Sequence, residues 1–220
     1  MASREHRIAP RRPAPRLYLV TPQVADPAGL TDALAAALGS ADLAAVLVRL
    51  AAADDRTLIN RVKALAPVVQ DKGAALLVDG YPDVVARAGA DGAHLTGIEA
   101  FGSALAALKP ARIAGCGGLT TRHDAMLAAE AGADYVMFGE PDARQHRPAF
   151  DAIAERVAWW AEVFEIPCVG FAATIDEVGP LVAAGADFVA IGDFIFGDAR
   201  GLAAALADTA KRLAPTETVE

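Results

Sequence analysis

Residues 89–97 read GADGAHLTG, residues 132–140 read GADYVMFGE and residues 185–193 read GADFVAIGD. Each phrase follows an alanine-rich apolar stretch: VVARA before the first, AMLAAEA before the second, VGPLVAA before the third. Glycine takes the left-handed conformation that stops a helix at little cost, and the apolar run after it has the length of a buried strand. Each phrase is therefore the seam of a helix–strand unit. The copies lie 43 and 53 residues apart, which leaves room for two units between successive copies.

Working outward, apolar runs predict eight strands near residues 16–21, 43–50, 74–79, 90–95, 112–115, 133–138, 167–171 and 186–191. Helical stretches follow at 28–38, 55–71, 82–88, 99–108, 121–131, 149–164, 175–184 and 198–212. Eight alternating pairs predict a single-domain α/β protein, the (β/α)8 TIM barrel. An open doubly wound sheet would want a glycine-rich dinucleotide loop after the first strand, where this chain has TPQVADPAG. Thr121 with Asp124 and Thr174 with Glu177 have capping-box spacing at two helix starts. Residues 1–15 read as a flexible arginine-rich arm, 16–213 as the barrel and 214–220 as a C-terminal tail.

The chain has 220 residues, 54% of them hydrophobic and 22% charged, enough apolar material for a folded core. Its net charge is -8. Arg4, Arg7, Arg11, Arg12 and Arg16 crowd the first sixteen residues beside a single acid, Glu5, so the remainder carries 15 basic and 27 acidic side chains. Such a surface repels a polyphosphate backbone, and no nucleic-acid partner is expected. The basic head lacks the apolar centre of a secretory signal, no run is long and apolar enough to span a bilayer, and Cys116 and Cys168 are too few for a disulfide framework. A cytoplasmic protein without a membrane partner is expected, with a homo-oligomer left open.

In a barrel of this kind function sits at the carboxyl ends of the strands. There the chain places Thr21 and Gln23, Arg49, Asp79 and Tyr81, His94, Thr96 and Glu99, Cys116 to Gly118, Glu140, the loop at 142–147, Ala172, Thr174, Gly192 and Asp193. Asp79, Glu99, Glu140 and Asp193 come from four units and could converge on a hard divalent cation; alternatively each caps its next helix, the reading preferred for Asp193 and extended to Glu140. Arg49 ends the apolar run VLVRL, where a guanidinium needs an anion or a carboxylate; an internal salt bridge to Asp79 or Glu99 is the structural alternative. His94 ends a strand and serves either as acid, base or donor, or simply as a hydrogen-bonded side chain. GCGGLT at 115–120 reads as a turn preparing a helix start, with Cys116 as a nucleophile only if a base lies beside it.

The opening RLYLVT, the arginine-ended VLVRL, GADGAHLTGIE, AGADYVMFGEP, IPCVGFAA and AGADFVAIGDFI occur in the order expected of the thiamine phosphate synthase and TenI family, which the chain resembles from residue 16 to about residue 213. The resemblance implies a (β/α)8 barrel. It also implies one of two activities: joining an aminopyrimidine pyrophosphate to a thiazole phosphate with magnesium and release of pyrophosphate, or isomerising the thiazole. A small phosphorylated or heterocyclic ligand and Mg2+ are thus expected, with no organic cofactor. Arg49, by resemblance, and His94, by its place at a strand end, are the catalytic candidates; Arg49, Thr96, Gly117, Gly118, Gly139 and Gly192 are expected to bind substrate or phosphate; by resemblance Asp79 and Glu99 hold the metal. The pattern also departs from the family. Ala51 stands for a lysine, Leu47 for a glutamine, Gly80 for the second member of an Asn-Asp pair, and Gly97 for a glutamine. Ala172 and Ala173 stand for paired glycines and Asp193 for a serine, while the threonine- and lysine-rich loop after the sixth strand is DARQHRP, where Arg144 or Arg147 would supply positive charge. These departures support the alternative of a divergent, noncatalytic member that binds another ligand or partner.

Overall fold

The three GAD phrases do the same structural work. Their glycines, Gly89, Gly132 and Gly185, all have positive φ, as helix-stopping residues should. The aspartate that follows each one then clamps the neighbouring strand. Asp91 Oδ2 accepts from Leu76 N at 2.7 Å, Asp134 Oδ2 from Ala114 N at 2.7 Å and Asp187 Oδ2 from Cys168 N at 2.8 Å. In return, the aspartate N–H groups donate to the carbonyls of Leu76, Ala114 and Cys168. The sequence repeat is thus a repeated two-way tie from the start of an even-numbered strand to the strand before it.

The computed structural model describes residues 13–142 and 146–214. Most of the expected arm, nearly all of the expected tail, and Arg144 lie outside the described residues. Eight parallel strands close a barrel in sequence order: β1 (Arg16–Val24), β2 (Leu43–Leu50), β3 (Ala75–Asp79), β4 (Gly92–Thr96), β5 (Ile113–Gly117), β6 (Tyr135–Phe138), β7 (Cys168–Ala172) and β8 (Phe188–Ile191), with β8 paired to β1. Around them run α1 (Ala28–Leu38), α2 (Asp55–Gln70), α3 (Pro82–Ala88), α4 (Ile98–Leu108), α5 (Arg122–Glu130), α6 (Phe150–Val163), α7 (Val178–Ala183), α8 (Asp193–Phe196) and α9 (Leu202–Lys211). The expected (β/α)8 barrel is the observed fold.

Two layers of apolar packing hold it. Outward-facing strand residues such as Leu19, Val46, Leu76 and Val136 pack under the helices with Leu34, Val62, Phe101 and Trp160. Inward-facing residues, among them Val20, Leu47, Leu77, Met137, Val169 and Phe171, fill the barrel together with Tyr18 and Tyr135. A buried side chain of this size contributes about 1.5–3 kcal/mol relative to exposure. Trp160 is fully buried and donates to Ile166 O, whereas Trp159 is half-buried beneath the Arg122 guanidinium, 4.8 Å from its ring centre.

Local readings divide at the helix starts. Thr121 and Asp124 form the expected capping box in both directions. Thr174 makes no capping bond; Glu177 turns instead to Arg147 and to Ala173 N, and a short 3-10 turn at Ile175–Glu177 precedes α7. The helix expected at 198–212 is α9, beginning beyond a turn at Gly201, and a further short helix, α8, follows β8 directly before it.

Candidate active site at the barrel mouth

A cavity of about 640 Å³ opens at the carboxyl ends of the strands, within the usual size of small-ligand pockets. Its wall includes Gln23, Arg49, Asp79, Thr96, Glu140, Asp142, Phe171, Ala172 and Asp193. Among these described residues four carboxylates face one guanidinium.

Arg49 is at the end of β2, its backbone N–H donating to the buried Thr21 hydroxyl at 3.1 Å. Its guanidinium pairs with Asp79 at the end of β3, Nε to Oδ2 3.6 Å, with both side chains about one-third exposed. The structural alternative for Arg49, a salt bridge to Asp79, is therefore present, and the same pair still faces the cavity. Burial, opposed by the charges of His94 and Arg49 and reinforced by Glu140, leaves the Asp79 carboxyl above its ordinary value.

His94 comes from β4 and is 1% exposed. Its Nδ1 lies 2.9 Å from the Tyr135 hydroxyl, which lies 2.8 Å from the Tyr18 hydroxyl; its Nε2 lies 3.0 Å from Glu140 Oε2. Burial keeps both phenols protonated by raising their pKa. Burial pushes His94 down, but the charge and hydrogen bond of Glu140, with Asp79, more than compensate, and the imidazole is held above its ordinary value. In the neutral form the protons run Tyr18 to Tyr135 to Nδ1, with Nε2–H donating to Glu140; in the cationic form both ring nitrogens donate. Either way Nε2 donates to Glu140, and either way Glu140 Oε1, buried, receives no hydrogen bond from the protein. His94 itself is sealed from the cavity, so it acts on a ligand only through Glu140.

Gly117 makes this arrangement fit. A Cβ there would fall 2.0 Å from Glu140 Oε1 and 2.6 Å from His94 Nε2. The neighbouring Gly118, at φ +62°, packs against Thr96 in the same way. Thr96 lines the main cavity; Gly117, Gly139 and Gly192 are not among its lining residues, and Gly118 lines a neighbouring pocket. Gly139 O accepts from Arg147 Nε at 2.7 Å, and the Gly192 carbonyl accepts from the first turn of α8.

Several residues have other work than the sequence reading assigned. Glu140 caps no helix; it is the partner of His94. Arg147 holds Glu177 through two nitrogens and also donates to the carbonyls of Gly139 and Phe171, so it braces two rim loops. Cys116 is buried, with a thiol pushed up to about 12 mainly by burial, and is no nucleophile at neutral pH. Of the two carboxylates expected to hold magnesium, Asp79 lines the mouth, while Glu99 is exposed on α4 and lines a shallow neighbouring pocket with Gly97, Gly118 and Asp124. Among the described residues no three His, Cys, Asp or Glu side chains gather as a metal-holding group. Magnesium is content with one or two carboxylates plus phosphate oxygens, so Asp79 fits an ion that arrives with a diphosphate. Tyr18 and Tyr135 escaped the sequence reading. The only signal was a phenol at an inward position in each of two apolar strands.

Fold and site together define a TIM-barrel protein with a small-molecule pocket at the carboxyl-terminal mouth. The chain matches, over residues 17–195, the model of the family described as thiamine monophosphate synthase. It is 39% identical over 197 residues to the thiamine-phosphate synthase of Rhodospirillum centenum, covering 88% of this chain and 95% of that one. With the thiamine-phosphate synthase of Hyphomonas neptunium it shares 33% over 204 residues, 89% and 92% of the two chains. The chain belongs to the thiamine phosphate synthase and TenI family. The fold also matches a thiamine phosphate pyrophosphorylase from Pyrococcus furiosus, TM-score 0.74 at 21% identity over 90% of this chain and 95% of that one. An orotidine 5'-phosphate decarboxylase from Pyrococcus horikoshii matches with TM-score 0.65 at 13% identity, over 90% and 99%. At such identities these two speak for the barrel alone. Among the described residues no helix is long and apolar enough to cross a membrane.

Proposed function

We propose that the mouth binds an aminopyrimidine pyrophosphate and a thiazole phosphate and joins them with release of pyrophosphate. The near full-length match to thiamine-phosphate synthases carries this reading, and the position of Arg49 on the cavity wall supports it. Arg49 would hold the diphosphate with charge-assisted bonds, exchanging part of its pairing with Asp79 for the ligand. Asp79 would then be free to share a magnesium ion with the diphosphate oxygens. When bound, that ion supplies charge neutralisation on the departing pyrophosphate. Thr96, on the cavity wall at the β4 end, would donate a hydroxyl. Departure of pyrophosphate builds negative charge on the leaving group, so stabilising that charge is the main demand on the protein, and no strong base is needed.

The test is turnover of both substrates with and without magnesium. Product formation that requires magnesium and falls at least a hundredfold in Arg49→Ala is the expected result; no binding of either substrate at millimolar concentration in calorimetry overturns the reading.

A second reading, a noncatalytic member that binds another ligand, is favoured by one observation: the described cavity wall sets Asp79, Glu140, Asp142 and Asp193 against Arg49. Binding of a phosphate-free heterocycle with no turnover of the two phosphorylated substrates would select it.

A further inference from the structure

The family pattern assigns no role to Glu140, yet its carboxylate is the one group of the buried chain that reaches the cavity. Tyr18, Tyr135 and His94 are closed off from solvent, and Glu140 lines the mouth with its side chain 8% exposed. A carboxylate buried to this degree ordinarily collects hydrogen bonds on both oxygens. Here Oε2 takes the proton of His94 Nε2, and Oε1 takes none. Leaving a buried acceptor unsatisfied is costly, and no donor among the described residues meets this one. Gly117 clears the space for the pair, and two tyrosines from β1 and β6 hold the imidazole that holds the carboxylate. No cation of the described wall answers Glu140. Arg49 is paired with Asp79, and Arg147 is paired with Glu177.

We propose that Glu140 is the residue that selects the ligand: its carboxylate accepts a hydrogen bond from an N–H donor, an exocyclic amine or a protonated ring nitrogen, on the heterocycle in the mouth. The inference rests on the reading above that this cavity is the substrate site. Glu140 lines the cavity with 8% of its side chain exposed, and the terminal torsion of a glutamate is broad, so a donor on the ring can meet the carboxylate from the cavity side. The acidic wall works in the same direction, since a donor-rich or cationic ring lowers the repulsion among Asp79, Glu140 and Asp193, whereas a ring bearing only acceptors raises it. His94, Tyr135 and Tyr18 are positioning residues: they fix the direction of the carboxylate and keep its second oxygen from being used within the protein.

The experiment compares two probes by calorimetry on the full chain: an aminopyrimidine bearing a hydroxymethyl group, and the same ring with a methyl group in place of the amine. The wild type should bind the amine about 10- to 100-fold more tightly, the range expected for one hydrogen bond to a charged group. Glu140→Gln retains an acceptor for His94 and should bring the two affinities within about threefold. Asp193→Asn, which removes a wall charge but no contact of Glu140, should lower the ratio far less than Glu140→Gln does. Should Glu140→Gln fail to fold, Glu140→Asp, which withdraws the carboxylate by one methylene, takes its place with the same expected loss of selectivity. Equal affinities in the wild type, or a ratio that survives loss of Glu140, overturn the proposal. So does an outcome in which magnesium alone binds, Glu140→Gln abolishes that binding, and the amine gives no selectivity. Turnover of the two phosphorylated substrates is measured in parallel. Selectivity without turnover leaves Glu140 in its role and removes the synthase reading, and turnover without selectivity does the reverse.

Discussion

At Gly117 the smallest side chain meets the most charged corner of the barrel. Adding one methyl group there would force apart Glu140 and His94, which cannot retreat because His94 is braced by Tyr135 and Tyr18. Overpacking of this kind costs about 1–3 kcal/mol, so Gly117→Ala should lower unfolding free energy by that amount in urea denaturation; an unchanged midpoint would show that the pair yields without strain. The same pair sets a pH dependence. His94 binds its proton more tightly folded than unfolded. Its contribution to stability is therefore complete below the ordinary histidine value of about 6.5 and is lost as pH rises through the raised folded value. Asp79, also raised, adds the same sense of change, but in the acidic range above the ordinary carboxylate value. As pH rises above the ordinary histidine value of about 6.5, wild-type stability should therefore fall. Glu140→Gln, which removes the main charge holding the proton on His94, should flatten that fall, and an NMR titration should show His94 moving back toward lower pH. A His94 titration unmoved by the substitution would assign the raised value to some other charge.

The strand-to-strand clamp of the GAD phrases gives each αβ seam more than a helix stop. Removing the carboxylate of Asp187 takes its hydrogen bond from the backbone N–H of Cys168 in the barrel wall, and a hydrogen bond to a charged group contributes about 1.5–3 kcal/mol. Asp187→Ala and Asp134→Ala should each destabilise by that amount. Because they serve different strand pairs, β7 with β8 and β5 with β6, the double variant should be close to additive; chemical denaturation of the three variants checks both points. Glycine after an alanine-rich run and a short apolar strand after the glycine are local signals, so the eight units could be read from the chain before any contact was known. Less legible was the eighth unit. DFIF is four residues long, too short for a helical period to show, and its burial depends on Ile195 packing into the layer between strands and helices rather than on local pattern. The split in legibility runs through the site as well. Arg49, Asp79 and Asp193 stand at strand ends and could be placed at the mouth by counting. The Tyr18–Tyr135 contact joins residues 117 apart in sequence, and Glu140 looks like a helix cap until barrel closure sets it against His94.

Over the whole molecule the chain is acidic, and at the mouth where a ligand must enter four carboxylates stand against one arginine among the described residues. Asp193 opens α8 and lines the cavity at the position where the resemblance leads one to expect a serine. Two unit charges about 5 Å apart at an effective dielectric near 20 interact by roughly 3 kcal/mol. The mouth is open to solvent and salt, which screen much of this, so a tenfold effect is the more realistic scale. Asp193→Ser should then tighten binding of inorganic phosphate or of a thiazole phosphate by about tenfold at low ionic strength, and the gain should shrink as salt is added. The direction follows from charge alone, because the substitution removes an anion and leaves a hydroxyl donor beside the β8 end. It also separates the two readings of the protein. If magnesium-borne diphosphate is the natural ligand, the ion already offsets the acidic wall, and Asp193→Ser should help free phosphate more than the magnesium complex. Equal effects on both would mean that the ion does not offset Asp193, whereas no effect on either would mean that the phosphate binds away from α8, and the placement of the anion beside Asp193 would have to be abandoned.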